Sequence, residues 1–158
     1  EVTLDQIACA RQSIPARRLD VDAILASRIE IEAALEWVAG RLDDGPVMLH
    51  SSESAERRAA REGPASSGRA IERTFAKLAM GLHDLGVRRF VVAGGETSAA
   101  VVKSLGVNWL QIGQVIAPGV PWTVSGGDLP IALALKSGNF GTADFFLRAL
   151  EVADGVSR

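Results

Sequence analysis

The chain has 158 residues, 47% of them hydrophobic and 23% charged, and a formal net charge of -2. That suffices for one domain with a sizeable core; it excludes an extensively disordered chain and gives no electrostatic reason to bind nucleic acid or an acidic membrane. The single cysteine, Cys9, excludes an internal disulfide and a cysteine-built metal site, is compatible with a reducing cytoplasm, and accompanies a sequence with no membrane-length apolar run and no basic stretch followed by an apolar one.

The opening "EVTLDQIACA" reads as a helix start rather than a chain terminus, which suggests part of something longer. Leu4, Ile7, Ala8 and Ile14 fall near helical spacing, and Thr3 with Gln6 matches a capping box. A short strand at 16 to 21 follows. Ile24, Ile31, Leu35, Val38 and Leu42 then predict one helix, stopped by "DDGP" at 43 to 46, and "PVMLHS" at 46 to 51 reads as a buried strand.

Residues 52 to 68 are charged and rich in Ser, Gly and Pro, and predict a mobile connection or frayed helix. Arg57, Arg58 and Arg61 are surrounded by Glu53, Glu56 and Glu62, the pattern of a solvated helix face. From Gly68, the residues Ile71, Phe75, Leu78, Leu82 and Leu85 share a helical face that Gly86 closes. "RRFVVAG" predicts a strand and "ETSAAVVKSLG" a short helix. "WLQIGQVIAPGVPW" contains a strand broken by Pro118, Gly119 and Pro121. "LPIALALKSGNFG" is a strand running into a glycine-bearing loop, and "TADFFLRALEVA" is the closing helix, with Thr142 as cap and Asp144 in its first turn. The expected class is α/β, a layered sandwich with a mixed, mostly parallel sheet flanked by helices.

Two loops carry chemistry. In "VVAGGETS", Gly94 and Gly95 let backbone approach a ligand, first-turn amides form an anion site, Thr97 and Ser98 either cap the helix or donate to phosphate, and Glu96 offers an oxygen to Mg²⁺. An ordinary tight turn with a capped helix explains the same residues. In "ALKSGNFG", Gly138 and Gly141 permit close approach of a base or ribose, Ser137 and Asn139 supply polar contacts, and Lys136 either balances phosphate charge or is a solvated strand-end lysine. Phe140 reads as a packing residue. His50 and Ser51 are placed near the same edge, His83 beside Asp84 makes no dyad, and Trp37, Trp109 and Trp122 are assigned to core or interface packing.

"RRFVVAGGETSAAVVKSLGV", "IGQVIAPGVPW" and "PIALALKSGNFGTADFFLRAL", in this order and spacing, resemble the C-terminal nucleotide-binding domain of the four-carbon acid sugar kinases, which include 3-oxo-tetronate, D-threonate and D-erythronate kinases. The resemblance runs the whole chain and is most specific from Arg88 to Leu150. It implies that residues 1–158 are the C-terminal half of a two-domain, cytoplasmic, ATP- and Mg²⁺-dependent kinase of the terminal hydroxyl of a four-carbon sugar acid. It further implies that Gly94, Gly95, Glu96, Thr97 and Gly138 contact ATP, with Ser98, Lys136, Ser137 and Asn139 as further candidates and Glu96 toward the metal. By the same resemblance the sugar-acid site and catalytic base are expected in an N-terminal domain outside this chain, and a homodimer is compatible with the sequence. A non-catalytic nucleotide- or anion-binding regulatory module is the alternative, and an interaction protein a third reading.

Overall fold

The structure is a computed structural model that describes residues 2–26, 29–52, 64–138 and 140–156. Its elements in order are α1 (Val2–Ala10), β1 (Ala16–Arg18), α2 (Val21–Ala26), α3 (Ile29–Ala39), a 3-10 turn (Leu42–Asp44) and β2 (Met48–His50). There follow α4 (Pro64–Asp84), β3 (Arg89–Ala93), α5 (Gly95–Ser104), β4 (Leu110–Ala117), β5 (Val120–Ser125), β6 (Ala132–Lys136) and α6 (Phe145–Val156).

The main sheet has the order β3-β6-β5-β4. Strands β3 and β6 are parallel, whereas β6–β5 and β5–β4 are antiparallel. The sheet is mixed as expected, but its parallel share is one pairing, because β4, β5 and β6 follow one another with no helix between them. The small second sheet pairs β1 and β2 in parallel.

Alternation along β6 explains the layers. Leu133 joins Phe90, Ala79 and Val101 on the face covered by α4 and α5, while Ala134 joins Trp122, Ile116 and Phe145 on the face covered by α6. Trp122 is buried and donates its indole N–H to the Ala149 carbonyl at 2.9 Å, which ties α6 to the sheet. A third cluster, Leu19, Ala34 and Leu78, packs the small sheet and α2–α3 against α4.

Several expectations need correction. The predicted helix from Ile24 to Leu42 is described as α2 and α3 on either side of residues 27 and 28, and the first strand ends at Arg18, with Val21 already helical. Helix α4 begins at Pro64, ahead of Gly68; the Arg57, Arg58 and Arg61 cluster lies outside the described residues. Pro121 does not break its strand. It sits in β5 opposite Val115, where the β4–β5 register is irregular, and pairing with β6 begins one residue later at Trp122. Its missing N–H therefore falls outside the regular ladder. Trp109 is 61% exposed, and Trp37 lies under the Arg41 guanidinium at 4.6 Å, so of the three tryptophans only Trp122 is a core residue.

Candidate functional site

Both glycine loops leave the carboxyl ends of adjacent parallel strands. Ala93 is in register with Lys136, and the Gly94 amide donates to the Lys136 carbonyl at 2.9 Å, carrying the ladder one step into the loops. The first residues of the two loops are therefore neighbours at one end of the sheet, the end at which open α/β sheets hold ligands.

The first loop is a helix start without a side-chain cap. Gly94 is the N-cap with φ 112° and ψ 125°, a left-handed conformation that glycine alone adopts readily, and no side chain caps the helix. The Ser98 amide donates to the Gly94 carbonyl at 2.8 Å, so Gly95, Glu96 and Thr97 are the first-turn residues whose amides have no helical acceptor. The reading of Thr97 or Ser98 as a cap is thus overturned. Ser98 is buried with its hydroxyl unpartnered, a state that costs free energy unless a further group satisfies it. A Cβ at Gly95 would meet nothing within 4 Å, and exposed Glu96 lies in the first turn. Among the described residues no group of three or more His, Cys, Asp or Glu gathers as a metal site, so any cation at Glu96 would depend on oxygens from a ligand.

The second loop is held from inside. Lys136 is 1% exposed and no carboxylate reaches it among the described residues. Its ammonium donates to the carbonyls of Ser137 at 3.2 Å and Gly138 at 3.0 Å, with the Phe145 ring centroid 5.6 Å away. Burial pulls the ammonium below the usual lysine value. Burial overturns the reading of Lys136 as a solvated lysine, and two of its three ammonium donors are engaged by its own loop.

Helix α1 completes the hold. Thr3 donates its hydroxyl to the Gly138 carbonyl at 2.8 Å, and the fully buried Gln6 places Nε2 at 3.0, 3.2 and 3.0 Å from the carbonyls of Phe140, Gly141 and Thr142. The predicted capping box is therefore absent, since both side chains reach across the fold. Sequence reasoning missed them as site residues; the available signal was a glutamine on the buried face of α1 beside Ile7 and Ala10.

The remaining candidates separate by place. Gly138 has open space where a Cβ would stand, consistent with close approach, while a Cβ at Gly141 would lie 2.6 Å from the Phe145 ring. Gly141 is a packing glycine at φ 82°, which corrects its assignment to a ligand. Ser137 is exposed, Asn139 lies outside the described residues, and Phe140 is 46% exposed with its ring beside Gly119. Thr142 donates to the Asp144 carboxylate, and the Asp144 carbonyl accepts from the Arg148 amide at 3.0 Å, so Asp144 and not Thr142 occupies the helix boundary. His50 belongs to the separate β1–β2 sheet, where its carbonyl accepts from the Leu19 amide at 2.8 Å, and not to the edge that carries the loops. His83 Nδ1 lies 3.9 Å from Asp84 Oδ1, a long surface contact.

This chemistry meets known proteins as follows. The family model described as "Nucleotide-binding C-terminal domain" matches residues 1–146. The 3-oxo-tetronate kinase of Pseudomonas fluorescens is 50% identical over 139 residues, covering 86% of this chain and 32% of that protein. The 3-oxo-tetronate kinase of Burkholderia multivorans is 43% identical over 160 residues, covering 99% of this chain and 37% of that one. A solved structure of a Haemophilus influenzae protein superposes with a TM-score of 0.90 at 40% identity, covering 95% of this chain and 37% of its own. The chain spans about a third of the length of the curated relatives it matches. It belongs to the nucleotide-binding C-terminal domain family.

Proposed function

We propose that this chain is the ATP-binding part of a kinase that phosphorylates the terminal hydroxyl of a four-carbon sugar acid of the 3-oxo-tetronate, threonate or erythronate type. The observation that carries the reading is the α5 N-terminus: an uncapped helix start beside a second glycine loop, at the carboxyl ends of two paired parallel strands. No side chain competes for its first-turn amides, which stay available to an anion. The kinase names borne by relatives at 43% and 50% identity support this reading over a regulatory nucleotide- or anion-binding module.

In this proposal the amides of Gly95, Glu96 and Thr97, with the helix dipole, take the negative charge of the ATP phosphates. The Thr97 and Ser98 hydroxyls donate to them, and Gly94 and Gly138 keep the approach free of side chains. Ser137 and Asn139 offer further polar contacts. Glu96 supplies an oxygen toward Mg²⁺, which when bound neutralises charge as the phosphoryl group transfers. The sugar acid and the base that accepts its proton are assigned to the part of the relatives' length that this chain does not span. No helix among the described residues is long and apolar enough to cross a membrane, and we propose the cytoplasm as the site of action. A homodimer is proposed as well, given the edge strand β4, which leaves Ile112 and Val115 exposed.

Calorimetric titration with ATP and Mg²⁺ tests the nucleotide site. Gly95→Val and Gly138→Val place side chains where the protein leaves space, so both should fold while losing more than about tenfold in affinity, about 1.4 kcal/mol. Unchanged affinity in both variants overturns the assignment. A kinase assay of the full-length protein against a panel of four-carbon acids, with the product position determined, tests the acceptor.

A further inference from the structure

We propose that Lys136, Thr3 and Gln6 are positioning residues that draw the carbonyls of Ser137, Gly138, Phe140, Gly141 and Thr142 inward and thereby present the amides of Gly138, Gly141, Thr142 and Ala143 as an anion-binding surface. The inference rests on the nucleotide reading of the same site, extends it to Thr3 and Gln6, and gives Lys136 a role other than phosphate contact.

The geometry of the peptide unit carries the step. In a trans peptide the carbonyl of one residue and the amide of the next point in opposite directions. The carbonyls of Ser137, Phe140, Gly141 and Thr142 all face donors from Lys136 or Gln6. The amides that follow them, those of Gly138, Gly141, Thr142 and Ala143, must point away from those donors. None of these four amides has a hydrogen-bond acceptor among the described residues. A run of outward amides in a turn is an anion-binding concavity.

Lys136 joins this surface to the first loop. Its carbonyl accepts from the Gly94 amide while its ammonium holds the Ser137 and Gly138 carbonyls, so one buried residue fixes the spacing between the two loops. The Gly138 carbonyl has two donors, Lys136 and Thr3. The positive charge acts through the loop and not by contact with a phosphate. Gln6 fits the same logic, because its amide nitrogen faces three carbonyls and its Oε1 has no partner, the orientation that a donor role requires.

The test uses the full chain and separates the clasp from nucleotide binding. In the ligand-free protein, ¹⁵N order parameters of the Gly138, Gly141 and Thr142 amides should lie near about 0.85 and fall below about 0.6 at Gly138 in Thr3→Val and Lys136→Met. ATP–Mg²⁺ affinity should fall about fivefold in Thr3→Val, the equivalent of one net hydrogen bond. Thr3→Ser, which restores the donor, should recover both readings. Lys136→Met should lose affinity by the same factor at about 50 mM and about 500 mM salt, because no screened charge contact is removed. Wild-type affinity and order in Thr3→Val, failure of Thr3→Ser to rescue, or a Lys136→Met defect confined to low salt would each overturn the proposal. Should wild-type protein fail to bind ATP, the nucleotide reading falls, while the order parameters still decide whether the clasp exists.

Discussion

Replacing Gln6 with glutamate exchanges one NH₂ group for an oxygen in a fully buried position, and the structure makes the consequence calculable. The carbonyls of Phe140 and Gly141 lose the side-chain donor that holds them, whereas that of Thr142 keeps the Phe145 amide at 3.1 Å. Two orphaned buried carbonyls cost about 1–3 kcal/mol each, hence about 2–6 kcal/mol before any charge is counted. The carboxylate adds desolvation and repulsion from three carbonyl oxygens, so its pKa in the folded protein is raised. A raised carboxyl pKa means that the folded state binds the proton more tightly than the unfolded chain. The deficit is therefore smallest below the unfolded value of about 4.3 and grows as pH rises through the folded pKa. At about 2–4 °C per kcal/mol for a chain of this size, melting at pH 7 should fall by at least about 5 °C. Gln6→Leu, which removes the donors without adding charge, should lose less at pH 7 and show no such pH dependence. Thermal melts followed by circular dichroism at pH 4 and pH 7 decide the matter. A Gln6→Glu protein melting within about 2 °C of wild type at pH 7 would refute the reasoning.

Gly141→Ala should destabilise by about 1–3 kcal/mol, since φ is 82° and the added Cβ meets the buried Phe145 ring at 2.6 Å; a lower urea midpoint at constant m-value is the expected result. His50 is held below the usual histidine pKa by burial, and then by Arg11 and Arg18, so the unfolded chain takes up the proton first as pH falls. Stability should accordingly be full above about pH 7 and decline as pH drops below about 6.5, and His50→Leu should remove that part of the slope in urea titrations at pH 7.5 and 5.5.

The elements built from local signals were legible in the sequence. The β3–loop–α5 unit follows from an apolar run, two glycines and a helical stripe, and Gly86 ends α4 at φ 96° as its position suggests. What was hidden depends on distant partners. Thr3 and Gln6 satisfy the spacing of a capping box, yet their acceptors lie about 135 residues away, and nothing local distinguishes the two uses. Lys136 looks solvated at a strand end because sequence cannot show that Phe145 closes over it. Pro121 looks like a breaker because the irregular β4–β5 register that tolerates it is a property of the pair and not of either strand. Gly138 and Gly141 look equivalent in "KSGNFG", and only the position of the Phe145 ring separates a glycine with open space beside it from one whose space the core takes.

The two loops reach the same polarity by opposite routes, and this is the strongest physical argument that they serve one ligand. The first loop withholds a cap: three helix amides stay unspent because no side chain competes for them, and Ser98 remains buried without a partner. The second loop consumes its carbonyls: Lys136, Thr3 and Gln6 bind the acceptors, leaving the donors over. Either device alone carries a cost in stability, a glycine in place of a capping side chain of roughly a few tenths of a kcal/mol and a buried ammonium without a carboxylate of more. Both costs fall at adjacent strand ends joined by the Gly94 amide and the Lys136 carbonyl, where a polyanion would take up the unspent amides of both loops. ATP binding should therefore raise the melting temperature, and the increment should be smaller in Lys136→Met, where the second loop no longer holds its amides toward the ligand.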